Sequence, residues 1–197
     1  MIDFILSNWV SIVGSLAGLI YVYLEYRASI WMWAASIAMA AFYIFIFYST
    51  HLYASMVIYT YFFVASIYGW IMWTTKYKKQ EETGEDVISH TPKRFVIYIL
   101  AFTIVSFLII YTLLLTLSEN QGLITIGDAL TTAFNIIALW MASRKWVEQW
   151  LLLIPANMIS GTLLFVQGDI LSGFLFVLFF IASILGYFKW KQMVIKG

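Results

Sequence analysis

Apolar residues in this chain come in blocks of about twenty, the length that a helix needs to cross a bilayer core. Seven blocks run approximately Phe4–Leu24, Ile30–Tyr48, Leu52–Trp73, Phe95–Leu117, Leu123–Met141, Trp146–Leu164 and Ile170–Lys189. The pattern predicts an all-α integral membrane protein with seven transmembrane helices. Most interruptions are short: "EYRAS", "STH", "SENQG", "SRK" and "QGD". Short connections make consecutive helices antiparallel neighbours. Only residues 74–94, "TTKYKKQEETGEDVISHTPKR", form a long polar stretch, which reads as a flexible loop. No second, soluble domain is expected.

One block says nearly the same thing twice. Phe63–Trp73 reads "FVASIYGWIMW" and Phe180–Trp190 reads "FIASILGYFKW", with six of eleven positions identical 117 residues apart. The same offset carries Arg27 onto Arg144, Trp33 onto Trp150 and Ser55 onto Ser172. The first three helices therefore map onto the last three, and the fourth has no counterpart. Three is odd, so two direct tandem copies would be inverted across the membrane. A linking helix restores a common direction. The expected organisation is a 3+1+3 parallel repeat: a first bundle over 1–75, a cytoplasmic loop over 76–94, a linking helix over 95–121 and a second bundle over 122–197. Transporters use parallel repeats of this kind, with the site at the repeat interface.

Composition agrees with lipid as the solvent. The chain is 63% hydrophobic and 11% charged, against roughly 45–50% and about 25% in soluble domains. Its net charge of +1 offers no basic face for nucleic acid. There are no cysteines, so thiolate metal sites and disulfides do not arise. The first apolar block has no basic segment before it and is not expected to be a signal peptide. With seven spans, all eleven cations fall on one side: Arg27, Lys76, Lys78, Lys79, Lys93, Arg94, Arg144, Lys145, Lys189, Lys191 and Lys196. The other side carries only Asp3, Glu119 and Asp169. Cations favour the cytoplasmic side, so the N-terminus is expected outside and the C-terminus in the cytoplasm.

Polar groups within spans are costly and mark interiors or watery cavities. Asp128, Thr131, Thr132 and Asn135 fall mostly on one face of the fifth helix. The Asp128 carboxylate either attracts a cationic ligand or pins helices together. Trp150 and Asn157 share a face of the sixth helix. The amide either holds a ligand or bridges helices, and Trp150, like Trp33, either lines a site or sits in the interfacial belt. Tyr59, Phe63, Ser66 and Trp70 form a stripe on the third helix. Ser66 with Gly69, Ser183 with Gly186, and Gly14 with Gly18 read as close-approach points. His51 and His90 lie in loops and are expected to be solvated. No phosphate-binding Gly-rich loop, hydrolase elbow or zinc motif occurs, so no catalytic residue, metal or cofactor is expected. A retinal carrier would need a lysine deep in the last helix, and Lys189 stands at its end.

The repeated "YGW…W" and the stretch "DALTTAFNIIALWMASRKWVEQWLLLIPANMIS", residues 128–160, resemble the PnuC family of bacterial vitamin transporters. The matching motif runs through Asp128, Thr132, Arg144, Lys145, Glu148, Trp150 and Asn157. The resemblance implies a 3+1+3 core similar to the SWEET sugar carriers in the bacterial inner membrane. It also implies import of nicotinamide riboside by facilitated diffusion with alternating access, trapping by a cytoplasmic vitamin kinase, and a homotrimer. Thiamine is the alternative cargo, and a seven-helix small-molecule receptor the alternative of another class. Nicotinamide riboside and thiamine each carry a fixed positive charge, which desolvated aromatic rings attract by about 2 kcal/mol. The expected substrate-binding residues are Asn157, Trp150, Asp128, Asn135, Trp33, Tyr59 and Trp70. Two positions depart from the family pattern. Leu153 stands where many members have a second Trp, and "WMWAASIAMA" lacks the usual Pro, although Pro155 occupies the matching place in the second copy, opposite Ala38.

Overall fold

A computed structural model describes residues 2–77, 87–117 and 122–196. The described residues form seven α-helices: α1 Ile2–Tyr26, α2 Trp31–Ser49, α3 Tyr53–Met72, α4 Lys93–Leu117, α5 Leu123–Ser143, α6 Gln149–Val166 and α7 Ile170–Lys196. A π-helical turn, Trp73–Tyr77, continues α3. Among the described residues, six of these helices are long and apolar enough to cross a membrane, and the part of α1 whose side chains are described, Ile12–Tyr26, is a shorter apolar helix. The centre of the expected loop, residues 78–86, lies outside the described residues, as do Lys78, Lys79 and Glu119. Its flanks are ordered otherwise than a flexible loop would be: 74–77 extend a helix, and 87–92 pack on the α5–α6 turn.

That packing explains why α6 starts at Gln149 and not at Trp146. Ser89 donates its N–H to the Lys145 carbonyl (3.1 Å) and accepts from the Val147 N–H (3.1 Å). The Glu148 carboxylate accepts from the Thr91 N–H (2.7 Å) and hydroxyl (2.8 Å), and pairs with His90 Nδ1 at 2.6 Å. His90 is exposed, as expected for a loop residue, and is also engaged by Glu148. Burial alone would raise the Glu148 carboxyl, but these donors hold it below its ordinary value.

The turns at the two ends of the bundle are of one kind. The α1–α2 turn places Ala28 at φ 50° and closes with Ser29 N–H to Leu24 C=O (2.9 Å); the α5–α6 turn places Lys145 at φ 54° and closes with Trp146 N–H to Met141 C=O (3.2 Å). The α2–α3 and α6–α7 turns do the same with His51 (φ 58°) and Gly168 (φ 84°), closing on Phe47 and Leu164. A left-handed residue just past the last helical turn satisfies orphan carbonyls and reverses the chain within a few residues. Each pair of equivalent positions is separated by 117 residues.

Helix contacts close a ring in the order α1–α2–α3–α5–α6–α7 and back to α1, while α4 leans on α5 from outside. Ile110 of α4 packs on Ala129 and Ala133 of α5, and its far side, including Ile97, Leu100 and Ile104, is exposed apolar surface. Such a face is stable against lipid and not against water. The ring's two seams carry matching bonds. Trp73 Nε1 donates to the Ala142 carbonyl (3.2 Å) across α3 and α5, and Trp190 Nε1 donates to the Glu25 carbonyl (3.0 Å) across α7 and α1. Trp33 meets Trp73 edge-on (5.6 Å, 84°), as Trp150 meets Trp190 (5.8 Å, 83°). Gly69 and Gly186 let these indoles lie against the backbone, since a Cβ there would come within 2.4 Å of Trp33 and 2.6 Å of Trp150.

Candidate functional site

A cavity of about 200 Å³ lies inside the ring. Tyr21 and Glu25 of α1, Ser36 of α2, Tyr59 and Phe62 of α3, Asn135 of α5 and Leu153 of α6 all line it. Glu25 is, among the described residues, the only carboxylic acid in the wall, which holds no lysine or arginine, and it is 2% exposed. It hydrogen-bonds to Tyr21 one turn away. Among the described residues it has no ion pair. Burying a carboxylate without a countercharge costs several kcal/mol, a cost that either protonation of Glu25 or an occupant supplying positive charge would relieve. Asn135 donates Nδ2 to the Thr131 carbonyl (2.9 Å), which leaves Oδ1 as an acceptor at the wall. Tyr59 is held by Tyr43 (4.9 Å), Phe47 (5.2 Å) and Phe62 (5.7 Å) ring to ring. The wall therefore offers one acid, an amide oxygen, hydroxyls and aromatic faces.

A layer of tryptophans forms a floor beneath the cavity without lining it, packed in one cluster with the wall residues Tyr21, Phe62, Leu139 and Leu153. Trp33 precedes Ser36, and Trp150 precedes Leu153, by three residues. One helical turn thus places both indoles nearer the end that carries the α1–α2, α3–α4 and α5–α6 connections. Both are fully buried together with Trp190, and Trp73 is almost so. The Nε1 atoms of Trp33 and Trp150 have no hydrogen-bond partner, and beside Trp150 both ends of the fully buried Gln149 amide also lack one. Buried polar groups are nearly always paired, so this layer is where the ring holds unspent hydrogen-bonding capacity.

Two of the seven residues expected from sequence, Asn135 and Tyr59, line the cavity. Trp33 and Trp150 do not line it; they lie in the tryptophan layer packed beneath its wall. Asp128 lies seven residues before Asn135, hence on the same face of α5 and about 10 Å along the axis; it is exposed. Asn157 faces α7, donating to Ser183 Oγ (2.9 Å). Trp70 turns away from the cavity, meeting Trp31 edge-on at 6.1 Å and lining a groove on the outer surface. The cavity face of α3 runs through Tyr59 and Phe62; of the expected stripe, Tyr59 lines the cavity and Ser66 bonds the wall residue Ser36, while Phe63 and Trp70 are not in the lining. Glu25 was missed because "EYR" reads as the end of a span, where charges usually meet water. The signal available was Tyr21 four residues earlier, a hydrogen-bonding group at helical spacing.

Comparison with known proteins gives a consistent picture. A sequence model of the family described as nicotinamide mononucleotide transporter matches residues 8–192. The nicotinamide riboside transporter PnuC of Escherichia coli (strain K12) is 26% identical over 183 residues, covering 82% of this chain and 76% of the relative. The nicotinamide riboside transporter PnuC of Haemophilus influenzae is 24% identical over 192 residues, covering 95% and 81%. A crystal structure of the vitamin B3 transporter PnuC superposes with a TM-score of 0.73 at 20% identity, over 98% of this chain and 85% of that one, so the fold is shared.

Proposed function

The chain belongs to the nicotinamide mononucleotide transporter family, and on that premise we propose that it imports nicotinamide riboside across the bacterial inner membrane by facilitated diffusion. One observation carries the choice of cargo. The cavity wall holds a single acid, Glu25, and no lysine or arginine. A fixed pyridinium charge would neutralise that carboxylate. A phosphate would find no cationic partner of the kind that recognises it, and would be repelled by Glu25. The site thus favours the nucleoside over the mononucleotide. A volume of about 200 Å³ suits a molecule below drug size. In this reading Glu25 faces the cationic ring and Tyr59 stacks on it. Asn135 accepts from a hydroxyl or carboxamide, and Asp128 draws the cation toward the ring.

The bundle acts as a 3+1+3 parallel repeat, similar in layout to SWEET carriers, with α4 as the link. The two halves rock about the cavity, and the tryptophan layer, with Trp33 and Trp150, serves as the inner gate. Asn157 steadies α6 against α7 beside that gate, and Trp70 packs. The recurrence of turns, tryptophan pairs and seam bonds at one offset supports this arrangement. The concentration of cations at one end supports an outside N-terminus and a cytoplasmic C-terminus. A cytoplasmic kinase would trap the imported nucleoside, and assembly is as a homotrimer. Thiamine is the second reading, because its fixed charge would answer Glu25 equally well.

Titrating the fluorescence of the nine tryptophans with nicotinamide riboside, thiamine and riboflavin tests the proposal. Saturable quenching by nicotinamide riboside is expected, and none by neutral riboflavin. Quenching by thiamine alone would transfer the assignment to that vitamin. No response to any of the three would favour a SWEET-like sugar carrier or a receptor, with the fold unchanged.

A further inference from the structure

A second pocket, of about 250 Å³, lies at the basic end outside the ring, where α4 begins beside the C-terminus of α5. Lys76, Arg94 and Arg144 line it, and among the described residues no acid does. Each cation is held by aromatic rings: Lys76 over Tyr77 (5.4 Å), Arg94 over Phe95 (5.1 Å), and Arg144 over Trp140 (4.6 Å), Trp146 (5.5 Å) and Phe95 (5.9 Å). Stacking of this kind fixes a guanidinium's position while leaving its N–H donors at the ring edges free. The Arg144 Nε atom is buried with no hydrogen-bond partner, and none of the three cations forms an ion pair among the described residues. Glu148, the acid nearest Arg144 in the chain, is already committed to His90 and Thr91. The N-terminus of α4, a 25-residue helix, opens at the same pocket through Pro92 and Phe95, and its dipole adds positive potential there.

We propose that this pocket is a phosphate-binding site. Three converging cations, an unspent buried guanidinium N–H and a helix N-terminus are the elements that recognise a phosphate. The cargo cavity has none of them, so the site is separate from transport recognition. Its level in the fold matters too. The pocket sits where the polar start of α4 gives way to the apolar face exposed along the helix, the height of a bilayer headgroup. Basic pockets there receive anionic lipid, while a soluble phosphate would reach the same groups from the water side.

The test uses full-length protein, delipidated in a neutral detergent, with the thermal midpoint as readout. One arm titrates dioleoyl phosphatidylglycerol against dioleoylglycerol, which has the same chains and no phosphate. The other titrates inorganic phosphate against chloride at equal ionic strength. Lys76 and Arg94 are exposed, so the double variant Lys76→Gln, Arg94→Gln keeps the fold; Arg144→Gln is the sharper but riskier change. A saturable rise in midpoint is expected in one arm. The half-saturating concentration should increase at least about tenfold in the double variant, the consequence of losing charge-assisted bonds. A rise with phosphatidylglycerol alone identifies a lipid headgroup site, and a rise with inorganic phosphate identifies a soluble ligand. No rise in either arm, or an unchanged response in the double variant, overturns the proposal.

Discussion

Gln149→Met should make this protein more stable and a worse transporter. Gln149 is fully buried in the tryptophan floor, and neither Nε2 nor Oε1 has a partner. Each unpaired buried group costs about 1–3 kcal/mol. Methionine is close in volume, unbranched and apolar, so it fills the same space without the penalty. It is also the residue at the equivalent place in the first half, where Met32 is fully buried against the same kind of tryptophan pair. Counting only the low end for both atoms, the substitution returns about 2 kcal/mol to the closed floor. At about 2–4 °C per kcal/mol for a chain of this size, the midpoint should rise by about 4–8 °C. If the floor opens during transport, the amide gains water or cargo in the open state, and the variant forgoes that gain. The open population then falls by about 30-fold, since 1.4 kcal/mol is tenfold. Thermal unfolding in one detergent and counterflow uptake in proteoliposomes read the two effects separately. A lowered midpoint would mean that the amide is satisfied after all. A raised midpoint with unchanged uptake would refute the floor as a gate.

Glu25→Gln should weaken nicotinamide riboside quenching at least tenfold without lowering the midpoint, because a cation about 5 Å from a carboxylate gains about 3 kcal/mol at an effective dielectric constant near 20; equal affinity in the variant would remove Glu25 from the site. Gly186→Ala and Gly69→Ala should each cost about 1–3 kcal/mol by overpacking. The indoles they would strike are pinned edge-on by Trp190 and Trp73, so a midpoint within experimental error of the parent's would show that the indoles can move. The Glu148 carboxyl is held below its ordinary value by bonds present only when folded, so its contribution is complete above the ordinary glutamate range and is lost as pH falls through the depressed value. Wild type should therefore lose midpoint more steeply than Glu148→Gln below about pH 4.5. Parallel acid profiles would show that the strap at 87–92 adds nothing to stability.

The seven helices were legible because lipid imposes one length and one polarity on each span. The repeat was legible because the two halves conserve what their turns and seams require: Trp73 and Trp190 reappear where they must reach a carbonyl across the ring. The cavity was harder to read. A ring stacked on a vitamin and a ring packed on another indole obey the same helical spacing, so Trp33 and Trp150 carried no mark of which they do. Asn157 shows a second reason. In the first half Ser36 bonds Ser66 (2.6 Å); at the matching position the second half has Leu153, and the longer Asn157, one turn on, reaches Ser183 in its place. The interhelical bond is retained while its donor shifts by a turn, which leaves Ser36 on the cavity wall and moves Asn157 off it.

That one-turn shift also makes the cavity one-sided. α1, α2 and α3 supply Tyr21, Glu25, Ser36, Tyr59 and Phe62, whereas the second half contributes Asn135 and an apolar surface including Leu153, and α7 does not line it. A symmetric ring therefore encloses an asymmetric charge. The asymmetry has a mechanical side, because the Glu25 that lines the cavity also accepts the Trp190 indole through its backbone carbonyl, at the seam between the halves. Its counterpart at the other seam is Ala142, which has no charge to offer. If the halves rock, the two seams move together. Of the two, only the α7–α1 seam is tied to Glu25, so in the proposed mechanism occupancy of the cavity would act on the halves through Glu25 and on the opposite seam only as a consequence.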